Sequence, residues 1–349
     1  MATDLSNSPV AVGQILADKY RVVRVLGVGG MGVVVEAMHL DLQKRVALKF
    51  MLTEAAAADS DSVARFVREG RAAARLQSEH VTRVMDVGRL ETGDPYMVME
   101  FLQGQDLSEV LVAEGRLPVD RAVSYVLQAC EAIAEAHSNG IVHRDLKPSN
   151  LFLTHRSDGA PLIKVLDFGI SKVSHREGDD PHAANMTATR TMLGSPLYMS
   201  PEQVRSARRV DTRTDIWSIG VILYELLTRE SPFQADSLSG LIAAIVSDPP
   251  VPVQSRRPDL PAPLADVIMR CLSKAVWDRF EHVSALVLAL EPFGSVDDAA
   301  LVARIVRMQK SAGAMVVEQP RPPAPSVSEV SVGRSGEPHV VGATLEPKR

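Results

Sequence analysis

The chain has 349 residues, of which 46% are apolar, and carries a formal net charge of −5 with a pI near 6.0. That length allows two lobes with separate cores and a tail, and the acidic balance excludes a general nucleic-acid binder, which needs a basic surface. No N-terminal run resembles a signal peptide, and no stretch approaches the roughly 18 apolar residues of a membrane helix, so the expectation is a cytoplasmic protein without a transmembrane segment.

Residues 1–19 are short and polar and read as an arm. "YRVVRVL" then alternates apolar and charged residues as a strand does, and "VVV" at Val33–Val35 is β-branched. Between them lies "LGVGGMG", with Gly27, Gly29 and Gly32 in the pattern G-x-G-x-x-G. A dinucleotide-binding turn with this pattern must run into a helix. Here it runs into a strand, so the glycines join two strands as a hairpin whose backbone amides could close over phosphate oxygens. A glycine-rich hairpin with no ligand is the plainer alternative.

"VALKF" puts Lys49 on the next strand, where a lysine usually just snorkels to solvent. "DSVARFVREGRAAARLQ" is an amphipathic helix with Val63, Phe66, Val67 and Ala74 on one broad face. "PYMVMEFLQG" is a further strand. From Gly104 to Pro292 helical patterns dominate. One long helix starts after Pro118 and ends near Gly140, and "TDIWSIGVILYELLT" is apolar enough to be fully buried. Cys130 and Cys271 fall in separate helices and read as reduced, packed thiols.

Between the helices come three polar motifs. "HRDLKPSNL" packs four ionisable residues into five positions and spaces Asp145 and Asn150 as H-R-D-x-x-x-x-N. "VLDFGIS" sets Asp167 just after a strand, and "GSPLYMSPEQ" ends with Pro201 and Glu202. "SVDDAALVARIVRMQK" opens with S-x-x-D and spaces Leu301, Ile305 and Met308 helically. We read residues 292–318 as an extra helix packed on the preceding lobe; docking of its basic face (Arg304, Arg307, Lys310) on a partner or an anionic membrane is the alternative. Residues 319–349 are rich in Pro and Ser and read as a disordered tail.

With five motifs in this order, the chain resembles a bacterial eukaryotic-type (Hanks-type) serine/threonine protein kinase over residues 13–291. The resemblance implies an α+β, two-lobed fold: an antiparallel N-terminal lobe with one main helix (20–99), a hinge (100–104) and a mostly helical C-terminal lobe (105–291). It implies ATP and Mg²⁺ (Mn²⁺ as an alternative), a protein substrate not identifiable from the sequence, and a homodimer during autophosphorylation. Leu26, Gly27, Val28, Gly29, Gly30 and Gly32 would form the phosphate flap. Lys49 would hold the α- and β-phosphates and Glu69 would orient it, with Glu54 and Glu79 as poorer-placed rivals. Asp167 and Asn150 would hold metal, Asp145 would take the substrate hydroxyl's proton, and Lys147 would neutralise the γ-phosphate.

The resemblance also gives Met99 as gatekeeper, the Glu100 carbonyl and Leu102 amide as adenine partners, and Val34, Ala47 and Phe152 as the walls of the adenine site. His143 and Phe168 would stack. Asp215 would brace the catalytic loop and Arg279 would pair with Glu202. Ser195 stands in the substrate pocket where relatives carry threonine. Ser200 replaces the alanine of A-P-E, and "KAVWDRF" departs from the usual motif, leaving Trp277 without explanation. Arg144 would receive an activation-loop phosphate on Thr187 or Thr189, with Thr191 a weaker candidate. A catalytically silent scaffold of the same fold is the competing function.

Overall fold

Every second residue of two strands builds the first core. In β3 (Gly32–His39) and β4 (Lys44–Met51), Val33, Val35, Ala37, Val46, Leu48 and Phe50 bury on one face with Val22 and Tyr20 of β2 (Tyr20–Gly29). The period-2 alternation turns Val34, Ala47 and Lys49 to the other face. With β1 (Ile15–Leu16), β5 (Val84–Arg89) and β6 (Pro95–Glu100), these strands form one antiparallel sheet in the order β1-β2-β3-β4-β6-β5. A computed structural model describes residues 10–29, 32–51, 60–90, 93–168, 196–206 and 210–312. The chain divides into two units, Met1–Val316 and Val317–Arg349, and every described residue belongs to the first.

Helix α1 (Ser60–Ala73) seats Phe66 against Met51 and Met97. It ends a turn earlier than its pattern suggests. Ala73 buries, whereas Ala74, expected on the apolar face, lies beyond the last helical residue and is exposed.

The second lobe forms around two helices. α3 (Val119–Ser138) begins after Pro118 and buries most of its length, and α5 (Arg213–Thr228) buries nearly every side chain, including Trp217 and Tyr224. α2 (Leu107–Glu114) starts from a capping box in which Asp106 and Glu109 satisfy each other's backbone amides. A small antiparallel sheet, β7 (Gln105–Asp106), β8 (Leu151–His155) and β9 (Pro161–Val165), lies beside them. Gly104, at φ 147°, lies so close to β8 that a Cβ would meet the Leu153 carbonyl oxygen at 2.0 Å, so the inter-lobe link admits no side chain there.

The shorter helices α4 (Pro201–Arg205), α6 (Leu238–Ser247), α7 (Val253–Arg256), α8 (Ala262–Cys271) and α9 (Val283–Leu290) complete the lobe. Cys130 and Cys271 are free and buried. The last described helix, α10 (Asp298–Ala312), buries Leu301, Val302 and Ile305 against α3 and α9, while its basic residues Arg304, Arg307 and Lys310 stay exposed. The Asp298 carboxylate anchors its start, accepting from Ser295 N (2.7 Å) and the Ser124 hydroxyl of α3 (2.5 Å). Among the described residues no helix is long and apolar enough to cross a membrane.

Candidate active site

The side chains of Lys49, Glu69, Asp145, Lys147, Asn150 and Asp167 come from distant parts of the chain and meet between the two lobes. Lys49 reaches from β4, with its Nζ 2.7 Å from Asp167 Oδ1 and 3.6 Å from Glu69 Oε1 of α1. Burial opposes the ammonium charge, but the two carboxylates outweigh it and hold its pKa above the ordinary lysine value. Of the rival partners, Glu79 instead pairs with Arg156 at 2.8 Å, and Glu54 lies outside the described residues.

The loop between α3 and β8 presents Asp145, Lys147 and Asn150. Lys147 Nζ lies 3.2 Å from Asp145 Oδ2, and the Asn150 amide donates to the Asp145 carbonyl at 2.7 Å, turning its amide oxygen away as an acceptor. Asp215 holds this loop from below. Fully buried on α5, it accepts from His143 N at 2.9 Å and Arg144 N at 2.8 Å. It also bonds His137 Nε2 at 2.7 Å. Burial pushes its pKa upward, yet His137, His143 and the backbone amides prevail and keep it low. Arg144 sits at φ 65°, a strained conformation for a side-chain-bearing residue that these bonds enforce.

The buried His143 imidazole lies 3.0 Å from the Leu166 carbonyl through Nε2, so Nε2 donates, and Nδ1 accepts from Asp145 N at 3.3 Å. Burial lowers its pKa, which favours this neutral form. Its ring lies 4.9 Å from that of Phe168. Asp167, at φ 44°, is thereby turned toward Lys49.

Above the site, Gly27 pairs with Val34 and Gly29 with Gly32 across the β2–β3 hairpin. A Cβ on Gly32 would strike the Phe50 carbonyl oxygen at 2.1 Å, whereas one on Gly27 meets nothing within 4 Å. The chain's own packing thus demands glycine at Gly32 but not at Gly27. Leu26 and Val28 are exposed on the hairpin; Gly30 lies outside the described residues. Val34 and Ala47 line the underside of the sheet, and Phe152 on β8 is half-buried. Met99 shares a small cavity with Glu69, Thr82, Met97, Asp167 and Phe168. The Glu100 carboxylate is tied to Lys164 Nζ at 2.7 Å and Arg83 N at 2.8 Å, and Leu102 follows it at the junction of the lobes.

Glu202 pairs with Arg279 through two bonds of 2.7 and 2.8 Å. Ser200, which replaces the alanine of A-P-E, caps α4 by accepting from Gln203 N and lies 2.5 Å from the Thr214 hydroxyl. Gln203 in turn donates to the Arg144 carbonyl at 2.9 Å, binding α4 to the catalytic loop. Sequence reading passed over Gln203, His137 and the Tyr198–Glu225 bond of 2.6 Å. Among these, only His137 carries a signal: a histidine near the end of a long, mostly apolar buried helix. Trp277 is half-exposed and nothing in the structure explains it. Thr187, Thr189, Thr191 and Ser195 lie outside the described residues.

Two protein oxygens, from Asp167 and Asn150, suit a hard cation that takes the rest of its shell from phosphate and water. Among the described residues no three His, Cys, Asp or Glu side chains converge to hold a metal alone.

Comparison with known proteins agrees with this geometry. Residues 20–288 match the family model for the protein kinase domain. The serine/threonine-protein kinase pkn3 of Myxococcus xanthus is 40% identical over 282 residues, 80% of this chain and 51% of that protein. PknB of Mycobacterium tuberculosis is 36% identical over 274 residues, 78% of this chain and 42% of that protein. The chain therefore spans about half, or less, of the length of these curated relatives. The solved kinase domain of Mycobacterium tuberculosis PknI superposes with a TM-score of 0.62 at 29% identity, covering 81% of this chain and 99% of that one.

Proposed function

The chain belongs to the protein kinase family, in its bacterial Hanks-type serine/threonine branch, and from this we propose that it transfers the γ-phosphoryl group of ATP to serine and threonine hydroxyls of proteins. One observation carries the reading: Lys49, Glu69 and Asp167 form a connected charge cluster facing the loop of Asp145, Lys147 and Asn150.

Phosphoryl transfer asks mainly for positioning and charge. Lys49, kept protonated by its two carboxylates, binds phosphate oxygens. Gly27, which nothing among the described residues crowds, lets the hairpin backbone approach those oxygens. Met99, Val34, Ala47, Phe152, the Glu100 carbonyl and the Leu102 amide bound the adenine. Asp145 orients the substrate hydroxyl and accepts its proton. Lys147 offsets charge beside it. Asp167 and Asn150 hold Mg²⁺, for which Mn²⁺ can substitute; the ion supplies charge neutralisation on the phosphates when bound.

Arg144 is the receiver for an activation-loop phosphate on Thr187 or Thr189. Its Nη1 is buried without a hydrogen-bond partner among the described residues, an arrangement that an anion would relieve. We place the protein in the cytoplasm, where ATP is supplied, with a protein substrate, a transient second copy during autophosphorylation and no nucleic-acid partner.

Incubation with Mg²⁺ and labelled ATP tests the reading. The wild-type chain is expected to incorporate label, and Lys49→Met to lose on the order of 10²–10³ in rate while keeping its melting curve. A wild-type chain that binds ATP without transferring label would mark a silent scaffold instead.

A further inference from the structure

The segment between α1 and β5 is fastened to the second lobe at one fully buried histidine. His80 bonds the Ile163 carbonyl through Nδ1 at 2.8 Å, so Nδ1 carries the proton in the neutral ring. Its backbone carbonyl accepts from Val165 N at 2.7 Å, and Thr82 N donates to the Val165 carbonyl at 3.1 Å. His80 is thus pinned to β9 from both sides, two residues before Asp167. Gln77 N and Ser78 N secure the start of the same segment on the Glu135 carboxylate of α3, at 2.7 and 2.8 Å.

The other ring nitrogen is anomalous. His80 Nε2 is buried and has no hydrogen-bond partner among the described residues. Glu131 Oε2 of α3 stands 3.7 Å from it and Glu79 Oε1 of its own segment 3.9 Å. A neutral ring points a lone pair at these carboxylates, while a protonated ring would donate to them. Arg304 of α10 decides how far Glu131 is free to respond, because it holds the same Oε2 atom at 2.9 Å. Arg156, from the β8 end, holds Glu79 in the same manner. Burial keeps the imidazole below the ordinary histidine pKa, against Ile163, Glu131 and Glu79.

We propose that Arg304 is a positioning residue for phosphoryl transfer: by retaining Glu131 it keeps the carboxylate from closing on His80, and so holds the 74–83 segment and β9 where Glu69 and Asp167 meet Lys49. Without Arg304, Glu131 closes the 3.7 Å gap, Nε2 takes up a proton from solvent, and an imidazolium–carboxylate bond draws the segment toward α3. The displacement reaches the site directly. Thr82 lines the same cavity as Glu69, Met99, Asp167 and Phe168, and Val165 leads into Asp167. α10 thereby becomes a lever: whatever lifts it from α3 changes the catalytic lobe's internal bracing.

The activity arm of the test rests on the kinase reading; the imidazole arm does not. Nitrogen-resolved NMR of the full chain, with His80 identified by a His80→Asn spectrum, follows tautomer and charge from about pH 5 to 8, while autophosphorylation with Mg-ATP is timed over the same range. Wild-type His80 is expected to stay in the neutral Nδ1–H form through the ordinary histidine range, because burial opposes its charge. In Arg304→Gln its pKa should rise by about one unit, and the rate should depart about threefold from wild type below that pKa and match it above. Arg304→Lys should restore both, whereas Glu131→Gln, alone or with Arg304→Gln, should leave His80 neutral and the rate profile flat. The idea is overturned if His80 titrates alike in wild type and Arg304→Gln, or if its titration shifts while the two rate profiles superimpose. Should Arg304→Gln fail to fold, Arg304→Met, which removes the same charge and keeps the apolar stem, decides it: a His80 that titrates there as in wild type overturns the idea equally. A wild-type chain with no autophosphorylation would sink the kinase reading and leave the imidazole comparison valid.

Discussion

Lys49 is held by two carboxylates of unequal exposure. Asp167 is 43% exposed and Glu69 10% at the side chain, so solvent can replace the lysine at Asp167 far more easily than at Glu69. That asymmetry fits Asp167 as the group that turns to a cation and Glu69 as the fixed orienting partner. Asp145 is positioned differently, close to Lys147 and Asn150 and away from Lys49. Asp167→Asn is therefore expected to abolish the rise in melting temperature that Mg-ATP gives, and Asp145→Asn to keep it. At ligand a hundredfold above its Kd that rise reflects about 2.7 kcal/mol. Equal loss in both variants, read by thermal shift, would remove the division of roles.

Helix α4 is a five-residue element that could not persist alone. Contacts from outside hold it: Ser200 with Thr214 at its start, Arg279 and Thr214 on Glu202, and Gln203 on the Arg144 carbonyl. Arg279 is 2% exposed and also donates to the Ser273 and Arg213 carbonyls at 2.9 and 3.1 Å, so its removal strands a carboxylate and two acceptors together. Arg279→Ala should cost about 3–5 kcal/mol in denaturant unfolding. Ser200→Ala should cost only about 1 kcal/mol, the value of a helix cap. Burial raises the pKa of Glu202, but Arg279 overrides it and leaves the carboxyl below the usual range. This stabilisation is present above the unfolded carboxylate pKa and is lost as pH falls through the lower folded value. Arg279→Ala should accordingly flatten the acid limb of the stability curve; a limb identical to wild type would contradict the pairing.

At the scale of the whole molecule, the catalytic charges lie where the two lobes meet. Lys49 and Glu69 belong to the first lobe, Asp145, Asn150 and Asp167 to the second. Activity then depends on anything that tightens the junction. Arg144, braced by Asp215 and carrying a buried nitrogen without a partner among the described residues, offers one such point. Mass spectrometry after incubation with Mg-ATP should find phosphate on Thr189 and Thr187 in wild type and none in Asp145→Asn. Replacing both threonines with alanine should lower the rate toward a separate protein substrate. Full activity in that double variant would show that Arg144 needs no phosphate partner.

Much of this organisation is written locally in the chain. Alternating Val33–Ala37 and Val46–Phe50 imply a sheet with one buried face, and the spacing of Asp145, Asn150 and Asp167 implies phosphoryl chemistry, because both depend on short-range periodicity and residue type. The resemblance names Glu69 rather than Glu79, and Glu69 Oε1 lies 3.6 Å from Lys49 Nζ. Other features were beyond reach. Nothing near Gln203 announces that it will bond Arg144, nor near His137 that it will share Asp215 with two backbone amides. The line from Arg304 through Glu131 to His80 likewise joins residues from separate elements. Side-chain type and spacing determine which elements form and which chemistry they carry. Which polar groups share a buried partner is decided only when packing removes water and forces each of them to find one.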